Sequence, residues 1–129
     1  MGGLVSIGDE RPHKKLEVWQ KAMALVARIY SLTKEFPKSE AYGLSSQMRR
    51  SAISIPGNIA EGAARKSKAE FLQFLNIARG SLSELDTQLE LAYMLGYIDE
   101  KRQRETLAEL TTVFRMLSGL IRSLKKSEQ

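Results

Sequence analysis

Cysteine is missing from the 129 residues, and histidine occurs once, at position 13. The first absence excludes disulfides, thiolate metal sites and cysteine nucleophiles, and it suits a reducing compartment. The second leaves no His pair for a metal centre and none of the Glu-x-x-His motifs that two helices of a di-metal bundle contribute. A serine nucleophile would have no imidazole base but His13, which reads as an exposed spectator. Also lacking are strand-like alternation of period two, a glycine-rich phosphate loop between strand and helix, and an apolar run long enough to span a bilayer. The N-terminus shows no basic start, apolar block and small-residue cleavage site, so the expected location is cytoplasmic. These absences lead us to expect no catalytic residue, no cofactor, no metal and no membrane partner.

What is present suits one globular domain. Apolar residues make up 43% of the chain and charged residues 27%, an ordinary balance for a folded protein of this size. Lys and Arg number 20 against 15 Asp and Glu, a net charge of +5. That excess favours an anionic partner, and solubility is the plainer use of the same charge.

Residues 1–15 have no periodicity and read as a flexible leader. From Leu16 the spacing turns strict. Leu16, Trp19, Met23, Val26, Tyr30 and Thr33 form one seam, and Val18, Ala22, Leu25, Ile29, Leu32 and Phe36 form a second beside it. A helix in an isolated bundle needs an apolar stripe of only about 100°. Two seams exceed that, so something outside the bundle is expected to cover this helix. Pro37 ends it.

The second helix begins near Leu44 to Ser46 and carries Leu44, Met48, Ala52, Ile55, Ile59 and Ala63 on one face. Its opposite face holds Arg50, Ser54, Gly57, Asn58, Glu61 and Arg65, a mixture that suits close approach by another helix. Pro56 removes an amide donor and frees the Ala52 carbonyl, which predicts a bend. Gly62 and the basic residues after it mark the next turn. Ser67 and Glu70 then form a capping box, each satisfying a backbone amide of the other residue. The third helix places Phe71, Leu75, Ala78, Leu82, Leu85, Leu89 and Ala92 on its seam and stops at a left-handed Gly96. Its flank of Phe74, Ile77, Ser81, Glu84, Gln88, Leu91 and Leu95 is again wider than one bundle needs, with its polar members partly buried. Asp99 is the expected cap of the fourth helix, whose seam is Leu107, Leu110, Phe114, Leu117, Ile121 and Leu124, widened by Thr106, Val113 and Leu120.

The resulting fold class is all-α, an antiparallel up-down-up-down four-helix bundle over residues 16–126, with the second helix kinked at Pro56 and a tail at 127–129. Excess apolar width on the first and third helices predicts a homo-oligomer, either a ring or a symmetric dimer.

Several segments carry a resemblance: Leu16-Glu17-Val18-Trp19-Gln20-Lys21-Ala22, Gly43-Leu44-Ser45-Ser46-Gln47-Met48-Arg49-Arg50, Ser54-Ile55-Pro56-Gly57-Asn58-Ile59-Ala60-Glu61-Gly62, Ala78-Arg79-Gly80-Ser81-Leu82-Ser83-Glu84-Leu85 and Leu95-Gly96-Tyr97. Together they resemble the bacterial four-helix-bundle proteins encoded in intervening sequences of 23S rRNA genes, over roughly Leu16 to Lys126. The resemblance implies a homopentamer. It also implies a distant similarity to the pentameric accessory proteins of diversity-generating retroelements, which bind nucleic acid. No catalytic residues transfer from the family.

Two groups of side chains are candidates for function. Arg104, Arg115, Arg122 and Lys126 form a basic stripe on the outward face of the fourth helix. Such a stripe, repeated around an oligomer, would hold RNA or DNA through phosphate, with weak sequence preference and strong salt dependence; a solvated helix face is the plainer reading. No stacking aromatics accompany it, because Tyr30, Phe71, Phe74 and Phe114 fall on core seams. Arg50, Asn58, Glu61, Ser81 and Glu84 form the second group. They could be read as an active-site cluster, but a structural polar network between the second and third helices is favoured, with Arg50 pairing Glu84 or Glu61. A scaffold that presents a surface to a protein partner, without direct nucleic-acid binding, is the alternative function.

Overall fold

The apolar periodicity settles into four α-helices in the computed structural model, which describes residues 11–127. Most of the predicted leader, residues 1–10, and the last two residues of the predicted tail lie outside the described residues. The helices are α1 (Glu17–Thr33), α2 (Leu44–Ala63), α3 (Lys68–Met94) and α4 (Glu100–Ser127), with no strand among the described residues. Two 3-10 turns, Pro12–Lys15 and Lys38–Glu40, complete the elements. Helix α3 packs on both α2 and α4, and α1 packs on the same two.

Of the two seams on α1, the second becomes core: Val18, Ala22, Leu25, Ile29, Leu32 and Phe36 are all buried. The first lies at the margin, with Met23 and Tyr30 more than 40% exposed and Trp19 and Val26 half-buried. One line only can point at the bundle axis, and the line without polar atoms in its side chains wins over the one whose Trp and Tyr carry a polar end. A similar shift occurs on α4. Its buried line is Thr106, Leu110, Val113, Leu117 and Ile121, whereas Leu107 and Phe114, expected on the core seam, are about two-fifths exposed (39% and 40%). Thr106 fits inside because its hydroxyl donates to the Arg102 carbonyl at 2.8 Å, which removes most of the cost of a buried hydroxyl. Helix α3 keeps its expected line from Leu75 to Ala92 fully enclosed, while Ile77, Leu91 and Leu95 of the flank lie open.

The ends of the helices follow local chemistry. Ser67 Oγ accepts the Glu70 amide at 3.1 Å. The Glu70 carboxylate accepts a hydrogen bond from the Ser67 hydroxyl rather than from the Ser67 amide, so half of the expected capping box is replaced by a side-chain pair. Asp99 caps α4 by accepting the Arg102 amide at 2.8 Å. Gly96 has φ of 79°. Around it the Tyr97 amide reaches the Ala92 carbonyl and the Gly96 amide that of Tyr93, the paired bonds of a Schellman turn.

Pro56 sits inside α2, which runs without interruption from Leu44 to Ala63. Gly62, expected at the turn, lies within this helix, buried against α3. A β-carbon there would come within 2.9 Å of both Phe71 Cδ1 and Phe74 Cβ. His13 is not the exposed spectator expected: its ring meets Trp19 edge-on, with centroids 5.0 Å apart. Burial, then the charges of Lys14 and Arg11, hold its imidazole below the ordinary histidine range.

Candidate nucleic-acid interface

A helix turns about 100° per residue, so positions 104, 115, 122 and 126 fall within roughly 40° of one another and opposite the buried line of α4. All four side chains are exposed. The stripe they form is about 33 Å long at ~1.5 Å per residue. Arg104 pairs with Glu100 at 2.7 Å across one helical turn, with both side chains about two-thirds exposed, a weak and easily screened contact. Arg115, Arg122 and Lys126 form no ion pair among the described residues. Ala108 and Gly119, between the cations, keep the face low. Arg104, Leu107, Thr111 and Arg115 border an open depression of about 450 Å³. Phe114 adds an exposed aromatic edge beside it, and Tyr30 is open on α1. Both depart from the expectation that Tyr30, Phe71, Phe74 and Phe114 would all be taken up by core seams.

The second candidate group divides. Asn58 Nδ2 donates to the Ser54 carbonyl at 2.8 Å and to Ser54 Oγ at 2.9 Å. Ser54 Oγ lies 2.8 Å from Ser81 Oγ on α3, and the Ser81 hydroxyl also reaches the Ile77 carbonyl. Asn58 and Ser81 are thus joined through Ser54, which stands on the face named from the sequence but outside the network expected there. Glu61 pairs instead with Arg65 at 2.9 Å. Arg50 and Glu84 are exposed and form no ion pair among the described residues, so the expected bridge from Arg50 to Glu84 or Glu61 is not made within one chain. Gln88 is half-buried, and its Oε1 is enclosed without a hydrogen-bond partner among the described residues.

Three polar sites escaped the sequence reading. Arg49 donates from Nε to Thr33 Oγ1 at 2.8 Å and lies over the Tyr30 ring, 4.6 Å from its centroid. Arg28 of α1 pairs with Glu109 and Glu105 of α4, beside an open groove of about 440 Å³ floored by Ala24 and Ala27. Glu40 accepts the Leu44 amide at 2.9 Å and the Tyr97 hydroxyl at 2.8 Å. Those bonds hold the Glu40 carboxyl below the usual glutamate range, and the same carboxylate pushes the Tyr97 phenol up. The Arg49–Thr33, Arg28–Glu109 and Glu40–Tyr97 contacts each join different segments of the chain, for which helical periodicity carries no signal.

Among the described residues no group of three or more His, Asp or Glu is placed to hold a metal ion, and no helix is long and apolar enough to cross a membrane. The fold and surface together define an all-α protein of four long helices, with a cationic line on the last and open apolar strips on the others. Residues 14–119 match the 23S rRNA-intervening sequence protein family, and the chain belongs to that family. The match takes in every segment that carried the resemblance and stops short of its expected end at Lys126.

A solved structure is similar as well. It is a protein of unknown function from the S23 ribosomal protein family of Bacteroides thetaiotaomicron VPI-5482, 29% identical, with a TM-score of 0.76, covering 81% of this chain and 95% of that one. No curated protein matches the sequence.

Proposed function

We propose that this is a non-enzymatic cytoplasmic protein, assembled from several copies of itself, that holds RNA or DNA by its phosphates along the α4 stripe. The observation that carries the reading is the alignment of Arg104, Arg115, Arg122 and Lys126 opposite the core, with an acidic partner, among the described residues, on Arg104 alone. A pentamer, as the resemblance to the intervening-sequence proteins implies, would repeat that line around a ring. Phosphate contacts of this kind are strongly weakened by salt and weakly selective for sequence.

The reading takes the four helices as an antiparallel up-down-up-down bundle with a bend at Pro56. In its support, Lys68 at the start of α3 reaches Ser127 at the end of α4. Arg102 at the start of α4 reaches Glu35, just beyond α1.

Fluorescence anisotropy with labelled single-stranded RNA tests the proposal. Binding is expected at low salt, and the combined change Arg104→Gln, Arg115→Gln, Arg122→Gln and Lys126→Gln should weaken it at least tenfold while the helical circular dichroism is retained. No binding at low salt, or binding indifferent to the four changes, would remove the function.

A second reading is a scaffold for a protein partner. Leu91 and Met94 favour it, because both are open at the edge of a depression near the end of α3. Pull-down from the native host that recovers a stoichiometric protein and no nucleic acid would support this reading against the first.

A further inference from the structure

Two apolar strips on different sides of the chain each carry a charge left unmatched. On the α1 and α2 side, Met23, Tyr30 and Ile53 are between 41% and 48% exposed. Among them lies Arg49, tethered through Nε to Thr33 and stacked on Tyr30, without a carboxylate partner among the described residues. Along the flank of α3 and at its C-cap, Ile77, Leu91 and Leu95 are between 43% and 51% exposed. Glu84 stands on this line, one heptad from Ile77 and one from Leu91, exposed and equally unpaired. The α3 strip spans about 27 Å at ~1.5 Å per residue, enough for a helix-length contact.

Resting on the self-assembly proposed above, we infer that the α1/α2 strip of one copy docks on the α3 strip of the next, with Arg49 of the first facing Glu84 of the second. Charge selects this pairing over its rivals. Joining two α1/α2 strips would bring guanidinium toward guanidinium, and joining two α3 strips would bring carboxylate toward carboxylate, both costly when water is excluded. Joining unlike strips pairs the charges, and the tether of Arg49 presents its terminal nitrogens without further ordering. The interface is then heterologous, which generates a ring when the rotation between copies closes.

The surrounding backbone fits close docking. A β-carbon on Gly80 would meet nothing within 4 Å, and neither would one on Gly57. Nothing among the described residues therefore requires glycine at either helical position, where it costs about 1 kcal/mol against alanine.

Charge exchange tests the pairing on the full chain, with mass measured by size-exclusion chromatography and light scattering across a dilution series. Arg49→Glu and Glu84→Arg are each expected to raise the dissociation midpoint at least tenfold, and the double variant to recover most of the loss. Leu91→Glu, on an exposed position, should act like the single charge changes while leaving the monomer folded by circular dichroism. Emission from the sole tryptophan, Trp19, which is half-buried on the helical seam of Met23 and Tyr30, should shift to the red as the assembly is diluted. If Arg49→Glu disturbs its own chain through Thr33, then Glu84→Arg and Leu91→Glu decide the matter alone. A wild-type chain that assembles while these variants assemble equally well would overturn the pairing and leave self-assembly standing. A wild-type monomer at micromolar concentration would overturn both.

Discussion

Gly62 shows how a single missing methyl group sets the distance between two helices. Adding it drives a carbon to 2.9 Å from Phe71 Cδ1 and Phe74 Cβ, and the latter, fixed to the backbone, cannot retreat without moving α3. Gly62→Ala is therefore expected to lower stability by about 1–3 kcal/mol, the usual cost of overpacking a close contact, as read from denaturant unfolding. An unchanged midpoint would mean that the two helices are not so tightly held. From the sequence this glycine reads as punctuation before the basic turn, because a local pattern shows that a residue is small and not what it touches. Gln88 errs in the other direction. The flank position announces partial burial, and burial is found, yet its Oε1 meets no donor among the described residues. Gln88→Met keeps the volume and removes the orphaned oxygen, so a gain of about 1 kcal/mol is expected in the same assay.

At the scale of elements, what repeats is legible and what joins distant segments is not. Four apolar stripes, the Ser67 and Asp99 caps and the Gly96 turn all follow from residues within one or two helical turns. The choice between adjacent seams on α1 and α4 does not, since it depends on which line faces the other three helices. Nor does the Glu40 clamp, which ties the turn before α2 to Tyr97 after α3. Its carboxyl titrates below the ordinary range because the Leu44 amide and the Tyr97 hydroxyl favour the anion. That contribution is complete above the unfolded glutamate value and is lost as pH falls through the lowered folded value. Tyr97 titrates above its ordinary range because its proton is held by Glu40. Its contribution is complete below the unfolded tyrosine value and is lost as pH rises through the raised one. The clamp should thus operate between about pH 4.3 and about pH 10. Melting temperatures of the wild type and Tyr97→Phe should differ across that window and converge outside it. A difference that persists unchanged at strongly alkaline pH would rule out the hydrogen bond as its source.

For the whole molecule, the question is how many copies of the α4 stripe meet one nucleic acid strand, and salt can count them. Each phosphate neutralised on a single strand contributes roughly 0.7 to the fall of log K with log salt. One chain offers the four cations Arg104, Arg115, Arg122 and Lys126, so one stripe acting alone gives a slope no steeper than about −3. An assembly that lays a strand across two or more stripes must exceed that value. Removing one cation from every copy, as in Arg115→Gln, should then flatten the slope by about 0.7 for each stripe engaged. Anisotropy titrations from low to moderate salt on the wild type and this variant are expected to show a steep initial slope and a loss larger than one unit. A slope near −3 that flattens by a single increment would confine binding to one chain, and the repetition of charge around an assembly would have no part in it.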